Sequence, residues 1–244
     1  MIHFLFAFLL GATATQPRVD RPIEVLFIGN SLTYYNEMPW MVGQLAAARG
    51  VRVHAAFEGR SGATLKQQWE HGRARTRIHE QRWDWVVLQD QSTAPVIQPD
   101  ELREYAAHFA AEVRASGAKP LLFLTWAHAG QPSAQAALTR AYRQTGAALR
   151  VPVAPVGIVW DRLRTRMQLF DGSGVHPNVT GTYLAACVFF AVITGQSPLG
   201  LPHRFDVQYD IVEAYRASLE HDHIEAVDAE VIQRAVAEEV RKGK

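Results

Sequence analysis

The chain has 244 residues, 48% hydrophobic and 20% charged, an ordinary globular composition with length enough to bury a sizeable core as one domain. Its 25 basic and 24 acidic side chains leave a formal net charge of +1, so no global field argues for nucleic acid or an anionic membrane surface as partner. A single cysteine, Cys187, excludes an internal disulfide and, set in an apolar helical run, reads as a small inert hydrophobe.

In chain order, Ile2 to Leu10 is an apolar run followed by Gly11-Ala12-Thr13-Ala14, an A-x-A cleavage pattern. The run is too short to span a bilayer but suits a signal-peptide core. Residues 1–14 are therefore expected to be a signal peptide, with the mature protein exported (periplasmic or secreted) and no stable membrane insertion once the peptide is removed. Residues 15–21, polar and linker-like, separate it from a single domain expected over 22–244.

Glu24 to Ile28 reads as a buried first strand ended by Gly29. Met38 to Arg49 has helical spacing and stops at Gly50. Val51 to Phe57 reads as a second strand, Thr64 to about Arg82 as an amphipathic helix with Gly72 as a candidate break, and Trp85 to Leu88 as a third strand covered on both faces. The arginines between Arg73 and Arg82 are interrupted by acids and apolar residues and read as a solvated helix face. Leu102, Tyr105, Ala106, Phe109 and Val113 mark a helix ending at Gly117. Leu121 to Thr125 follows as a fourth strand, a helix through Leu138, Ala141, Tyr142 and Leu149, and Val151 to Val156 as a fifth strand. Gly157 to Met167, Val179 to Thr194 and about Ala226 to Arg241 are the remaining helices, the last a C-terminal extension packing on the sheet. Strands alternating with helices predict a three-layer α/β/α sandwich around a five-stranded, mainly parallel, flavodoxin-like sheet. In such sheets the functional crevice lies beyond the carboxyl ends of the strands.

Four loops carry candidate chemistry, and three of them come just after a strand. Gly29-Asn30-Ser31-Leu32-Thr33 comes directly after the first strand. Ser31 there suits an exposed nucleophile, and a Ser/Thr helix cap fits the segment equally well. A hydroxyl-rich loop could also cradle the phosphate of a flavin nucleotide, which would require further cofactor loops at later strand ends. Glu58 to Thr64 offers Gly62, with Gly59 as the weaker substitute, as an unshielded backbone donor; turn chemistry alone also explains these glycines. Gln89-Asp90-Gln91-Ser92 follows the third strand, and the Gln91 carboxamide can donate to an oxyanion without carrying charge. Val175-His176-Pro177-Asn178 precedes the helix from Val179, placing an imidazole at a fixed point near a helix start. A lone loop histidine is more often a surface residue. Here serine, amide and histidine fall in loops that should line one crevice.

Together these segments resemble the SGNH/GDSL hydrolase superfamily. Gly29-Asn30-Ser31-Leu32 stands at the block written G-D-S, with Asn30 in place of aspartate. Gly62 matches the second block, Gln91 takes the asparagine position of G-x-N-D, and His176 matches the histidine of D-x-x-H. The resemblance covers roughly Val25 to Pro198 and is nearest a subgroup with L-Q-[DE]-Q-S in the third block. It implies a serine esterase in which Ser31 attacks an ester carbonyl, His176 is the general base, and Ser31, Gly62 and Gln91 hold the oxyanion. No metal or other cofactor is implied. The expected substrate is a small-molecule or carbohydrate ester, with short-chain or acetyl groups favoured and lipid or thioester substrates open. Tyr34, Tyr35 and Trp126 are candidate aromatic faces for a sugar, or core. The departure is at the acid, because Ser173 occupies the position three residues before the histidine. Asp171 is the acid close by, expected to reach His176 through adjustment at Gly172 and Gly174. A Ser–His dyad or an impaired, carbohydrate-binding domain are the other readings.

Overall fold

The computed structural model describes residues 21–205 and 224–243. The expected signal peptide at 1–14 lies outside the described residues. Five parallel strands form one sheet in the order β2-β1-β3-β4-β5: β1 (Ile23–Gly29), β2 (Val53–Gly59), β3 (Trp85–Leu88), β4 (Lys119–Phe123) and β5 (Val153–Ala154). The order reverses at β1, so the loops after β1 and β3 leave toward opposite faces and open a crevice between them. In register, Gly29 lies opposite Gly59 and Ile28 opposite Leu88, which brings three of the candidate loops to one level.

The three layers follow from side-chain alternation. Val25 and Phe27 of β1 point into a core shared with α2 (Met38–Ala47), α8 (Val156–Leu163) and α9 (Val179–Thr194). Leu26 and Ile28 point the other way, into a core with α3 (Leu65–His71), α4 (Arg73–Glu80), α6 (Pro99–Ala115) and α7 (Gln135–Leu149). All four β1 side chains are inaccessible to solvent, which is why this strand reads as an unbroken apolar run. Helix α9 is apolar on nearly every side because it packs against α2, α10 (Ala226–Lys242) and the sheet, where Phe189 meets Phe27 of β1 edge-on. The C-terminal α10 packs on α8 and α9. Its buried Gln233 donates to Tyr183 Oη at 2.7 Å and to Leu201 O at 2.9 Å. Cys187, fully buried in α9, has its thiol pushed up by burial and stays protonated.

Several boundaries differ from expectation, each for a local reason. β4 starts at Lys119, where the Lys119 N–H is held by Asp84 O, and it ends at Phe123 because the Leu124 carbonyl turns to accept the Gly157 N–H at 2.8 Å. β5 shrinks to two residues between Pro152 and Pro155, neither of which can donate to a ladder. The helix expected from Thr64 divides at Gly72, which adopts φ +82°, into α3 and α4. Two short helices escaped the periodicity, α1 (Ser31–Tyr34) and α5 (Ala94–Ile97), because one turn is too brief to show a repeat. No described helix is long and apolar enough to cross a membrane.

Candidate active site

The turn from β1 into α1 is built around buried amides. A Cβ on Gly29 would lie 2.4 Å from Gln89 Oε1 and 2.6 Å from Thr33 Oγ1, so the absence of a side chain at 29 is what admits that amide. Gln89, inaccessible to solvent, accepts the Asn30 N–H and the Thr33 hydroxyl, both at 2.8 Å. Gln68 Nε2 holds Gly29 O at 2.7 Å from the far side. Asn30 caps α1 by accepting the Leu32 N–H at 3.1 Å and donates to Ala63 O at 3.0 Å. The cap is thus Asn30, leaving the Ser31 hydroxyl free of that task. Ser31 occupies the first helical position, where the N–H has no carbonyl one turn back to meet.

The loop after β2 runs beside it. Gly59 cannot carry a side chain, since a Cβ would sit 1.9 Å from Gly29 O across the β1–β2 register. Gly62 has φ +66° and open space around its Cβ position, and its N–H makes no hydrogen bond among the described residues. The loop after β3 supplies Gln91. Its Oε1 accepts the N–H groups of Thr93 at 2.7 Å and Ala94 at 2.9 Å, capping α5, and its Nε2 donates to Ser92 Oγ at 3.2 Å. That fixes the carboxamide and leaves a second Nε2 proton uncommitted.

His176 lies across the crevice with Nε2 3.0 Å from Ser31 Oγ. Its loop is pinned from several sides. Asn178 caps α9 through the Gly181 N–H at 2.9 Å, and the Ala129 N–H donates to Gly174 O at 2.9 Å. Asn36 Nδ2 reaches Pro177 O at 3.0 Å and Thr182 Oγ1 at 2.9 Å, from a left-handed backbone at φ 49°. Tyr35 stacks on the imidazole with centroids 4.3 Å apart and planes 13° apart. Tyr34 meets Phe57 edge-on. Trp126 belongs to the core: it is fully buried, stacks on Trp160 at 4.0 Å, and donates Nε1–H to Val175 O at 3.0 Å. It positions the histidine loop and offers no face to a sugar.

Asp171 does not touch the imidazole directly. Its carboxylate accepts the Ser173 N–H at 2.8 Å and the Ser173 hydroxyl, while Ser173 Oγ lies 3.3 Å from His176 Nδ1. The Asp171 N–H meanwhile donates to His176 O at 3.0 Å, closing the loop on itself.

Two further titratable groups stand behind the crevice. Asp90 is 3% exposed, and burial pushes its carboxyl up to about 6 although its Oδ1 accepts the N–H groups of Leu65 and Gln91. His128, after β4, places Nε2 2.8 Å from Ser92 Oγ; burial first, then the nearby His176, push it below the ordinary imidazole value. Sequence reasoning passed over Gln89, Asn36, Ser173 and His128 as working residues. His128 and Gln89 were within reach of the rule that strand C-termini carry the site. Nothing in the sequence marks Asn36, whose partners lie more than 140 positions away.

The fold and crevice define a flavodoxin-like α/β/α protein carrying a hydroxyl–imidazole pair at its topological switch point. No protein-family model and no curated protein matches the sequence. Among solved structures, a protein described as a candidate SGNH hydrolase from Slackia heliotrinireducens is 25% identical, covering 71% of this chain and all of its own, with TM-score 0.62. A DUF4886 family protein from Bacteroides uniformis superposes with TM-score 0.75 at 16% identity, over 91% of this chain and 95% of its own. Axe2, an acetylxylan esterase from Geobacillus stearothermophilus, gives TM-score 0.57 at 17% identity, over 70% and 94%. The chain belongs to the SGNH/GDSL hydrolase superfamily.

Proposed function

We propose that this protein is a serine esterase that removes short acyl groups, acetyl above all, from small-molecule or carbohydrate esters. The observation that carries the reading is the 3.0 Å approach of His176 Nε2 to Ser31 Oγ at the mouth of the crevice. Ser31 Oγ attacks the ester carbonyl as its proton passes to His176 Nε2. The resulting oxyanion is met by the N–H groups of Ser31 and Gly62 and by the uncommitted Nε2 proton of Gln91. Collapse expels the alcohol, which takes the proton back from His176, and water then repeats the sequence on the acyl-enzyme. Asp171 supplies the negative charge on the far side of the imidazole. Two things support an acetylated carbohydrate as substrate: the likeness of fold to an acetylxylan esterase and the Tyr35 ring lying flat against His176. Export to the periplasm or beyond, expected from residues 1–14, suits a polymeric substrate.

Turnover of p-nitrophenyl acetate, with Ser31→Ala as control, tests the activity. A fluorophosphonate should label the wild type at Ser31 and leave the variant unlabelled. Hydrolysis that survives Ser31→Ala, or a wild type neither active nor labelled, rejects the esterase and favours a carbohydrate-binding domain, a reading to which the displaced acid position lends weight. Release of acetate from acetylated xylo-oligosaccharides, compared with longer-chain p-nitrophenyl esters, tests the substrate class.

A further inference from the structure

We infer that Ser173 is a positioning residue that links Asp171 to His176, so that this site is aligned by an Asp–hydroxyl–His relay in place of a direct carboxylate contact. The inference rests on the esterase reading for its kinetic consequence, but its geometry stands apart from it. An ionised carboxylate offers acceptors only, whereas a serine hydroxyl has one proton and two lone pairs. Asp171 accepts from the Ser173 hydroxyl, so the single proton of Ser173 is committed there. The oxygen that remains can only accept: the backbone N–H groups of Val175 and His176 donate to it at 3.1 Å each, and the His176 Nδ1 nitrogen lies 3.3 Å away. A bare Nδ1 would face an oxygen with no proton left to give, so the arrangement favours the tautomer in which Nδ1 carries the ring proton. Nε2 is left as the bare nitrogen facing Ser31, which is the tautomer a general base needs.

Without the carboxylate, the Ser173 proton would be free to turn toward Nδ1, and the opposite tautomer would become available. The carboxylate thus fixes the imidazole through a group that itself gives up no proton. When Ser31 attacks, its proton goes to Nε2. Nδ1–H stays on the ring and draws closer to Ser173 Oγ as the imidazolium forms, while the Ser173 proton stays on Ser173, polarised by Asp171. No proton crosses the relay, so it acts by orientation and electrostatics alone. Both Asp171 and Ser173 are open to solvent, and water partly substitutes for either. The expected effect is correspondingly smaller than the loss of a buried triad acid.

The test combines kinetics with a readout that needs no turnover. Ser173→Ala and Asp171→Ala should each lower kcat roughly tenfold or more with KM changed less than about twofold, and the double variant should be no worse than the poorer single one. Ser173→Asp combined with Asp171→Ala places a carboxylate directly against Nδ1 and should recover most of the activity that Asp171→Ala loses. Independent effects that multiply in the double variant, or no recovery with Ser173→Asp, overturn the relay. In protein labelled with 15N-histidine, at a pH where His176 is neutral, the wild type should show the Nδ1–H tautomer and Asp171→Ala a mixture. An Nε2–H tautomer in the wild type overturns the relay even if the enzyme is active. Absence of Ser31-dependent hydrolysis with the Nδ1–H tautomer intact rejects the esterase and leaves the relay standing.

Discussion

The two sides of the crevice are built differently. On the nucleophile side, Asn30, Ser31, Gln68 and Gln89 are all nearly inaccessible, and their bonds run between buried groups on three separate elements. On the histidine side, Asp171 and Ser173 meet water, and their bonds span two to five residues within one loop. Buried hydrogen bonds in a low-dielectric setting are strong and costly to leave unmade, while solvent competes for exposed ones. The Ser31 hydroxyl is therefore preset by the fold, and the His176 imidazole is tuned locally. What anchors the histidine loop as a whole is long-range: Asn36 from the far end of the nucleophile loop and Trp126 from beneath.

Four expected outcomes break or sharpen this contrast, the largest effect first. Ser31→Ala or His176→Ala removes one half of the reacting pair, and kcat for p-nitrophenyl acetate should fall at least about a thousandfold. Stability should change little, which urea titration of each variant will check. Gln91→Ala deletes the proposed oxyanion donor and should cost on the order of a hundredfold in kcat, about 3 kcal/mol in the transition state, with KM nearly constant. A KM effect alone would move Gln91 from the oxyanion to substrate binding.

The buried side should instead report in stability. Burial raises the Asp90 carboxyl from an ordinary value near 3.8 to about 6, so between those limits the folded protein holds a proton that the unfolded chain has already lost. Stability should therefore fall as pH rises through this window, by up to about 3 kcal/mol above it. Asp90→Asn, close to isosteric, should lack that slope when unfolding free energies are compared across the window. An unchanged slope would assign the pH dependence to other groups.

The smallest effect is expected from Asn36→Gly. Glycine accepts the left-handed φ of 49° without strain, so the substitution removes the side-chain clamp on Pro177 and Thr182 without distorting the backbone. We expect kcat to drop about tenfold, near 1.4 kcal/mol, with a smaller change in unfolding free energy. Asn36→Ala adds backbone strain of about 1 kcal/mol and should lose more stability than Asn36→Gly for the same loss in kcat.

The sheet was legible because its strands are apolar runs covered on both faces, and a run such as Val25 to Ile28 needs no partner to declare itself. The strand-end rule then picked out the loops holding Ser31, Gly62 and Gln91, since a topology of this kind brings every carboxyl end to one edge, whereas the His176 loop lies between two helices and was marked by its residue type and its place before α9. The expectation for Asp171 stopped one atom short. Spacing shows which residues share a loop, whereas the direction in which a hydroxyl donates depends on every acceptor around it. Trp126 was ambiguous for a related reason: an aromatic after a strand fits crevice and core alike until its neighbours are known, and here they are Trp160 and Val175 O.

By itself, then, the sequence determined the layer architecture and which hydroxyl, amide and imidazole are the candidates for the chemistry, because hydrophobic periodicity and residue type are local properties. Tertiary structure alone decided that Asn30, not Ser31, caps α1, that Gln89 and Asn36 hold the two loops, and that a serine stands between Asp171 and His176. Each of these is a contact whose geometry emerges only when distant segments pack, and hydrogen bonds, unlike burial, are won or lost within a few tenths of an ångström.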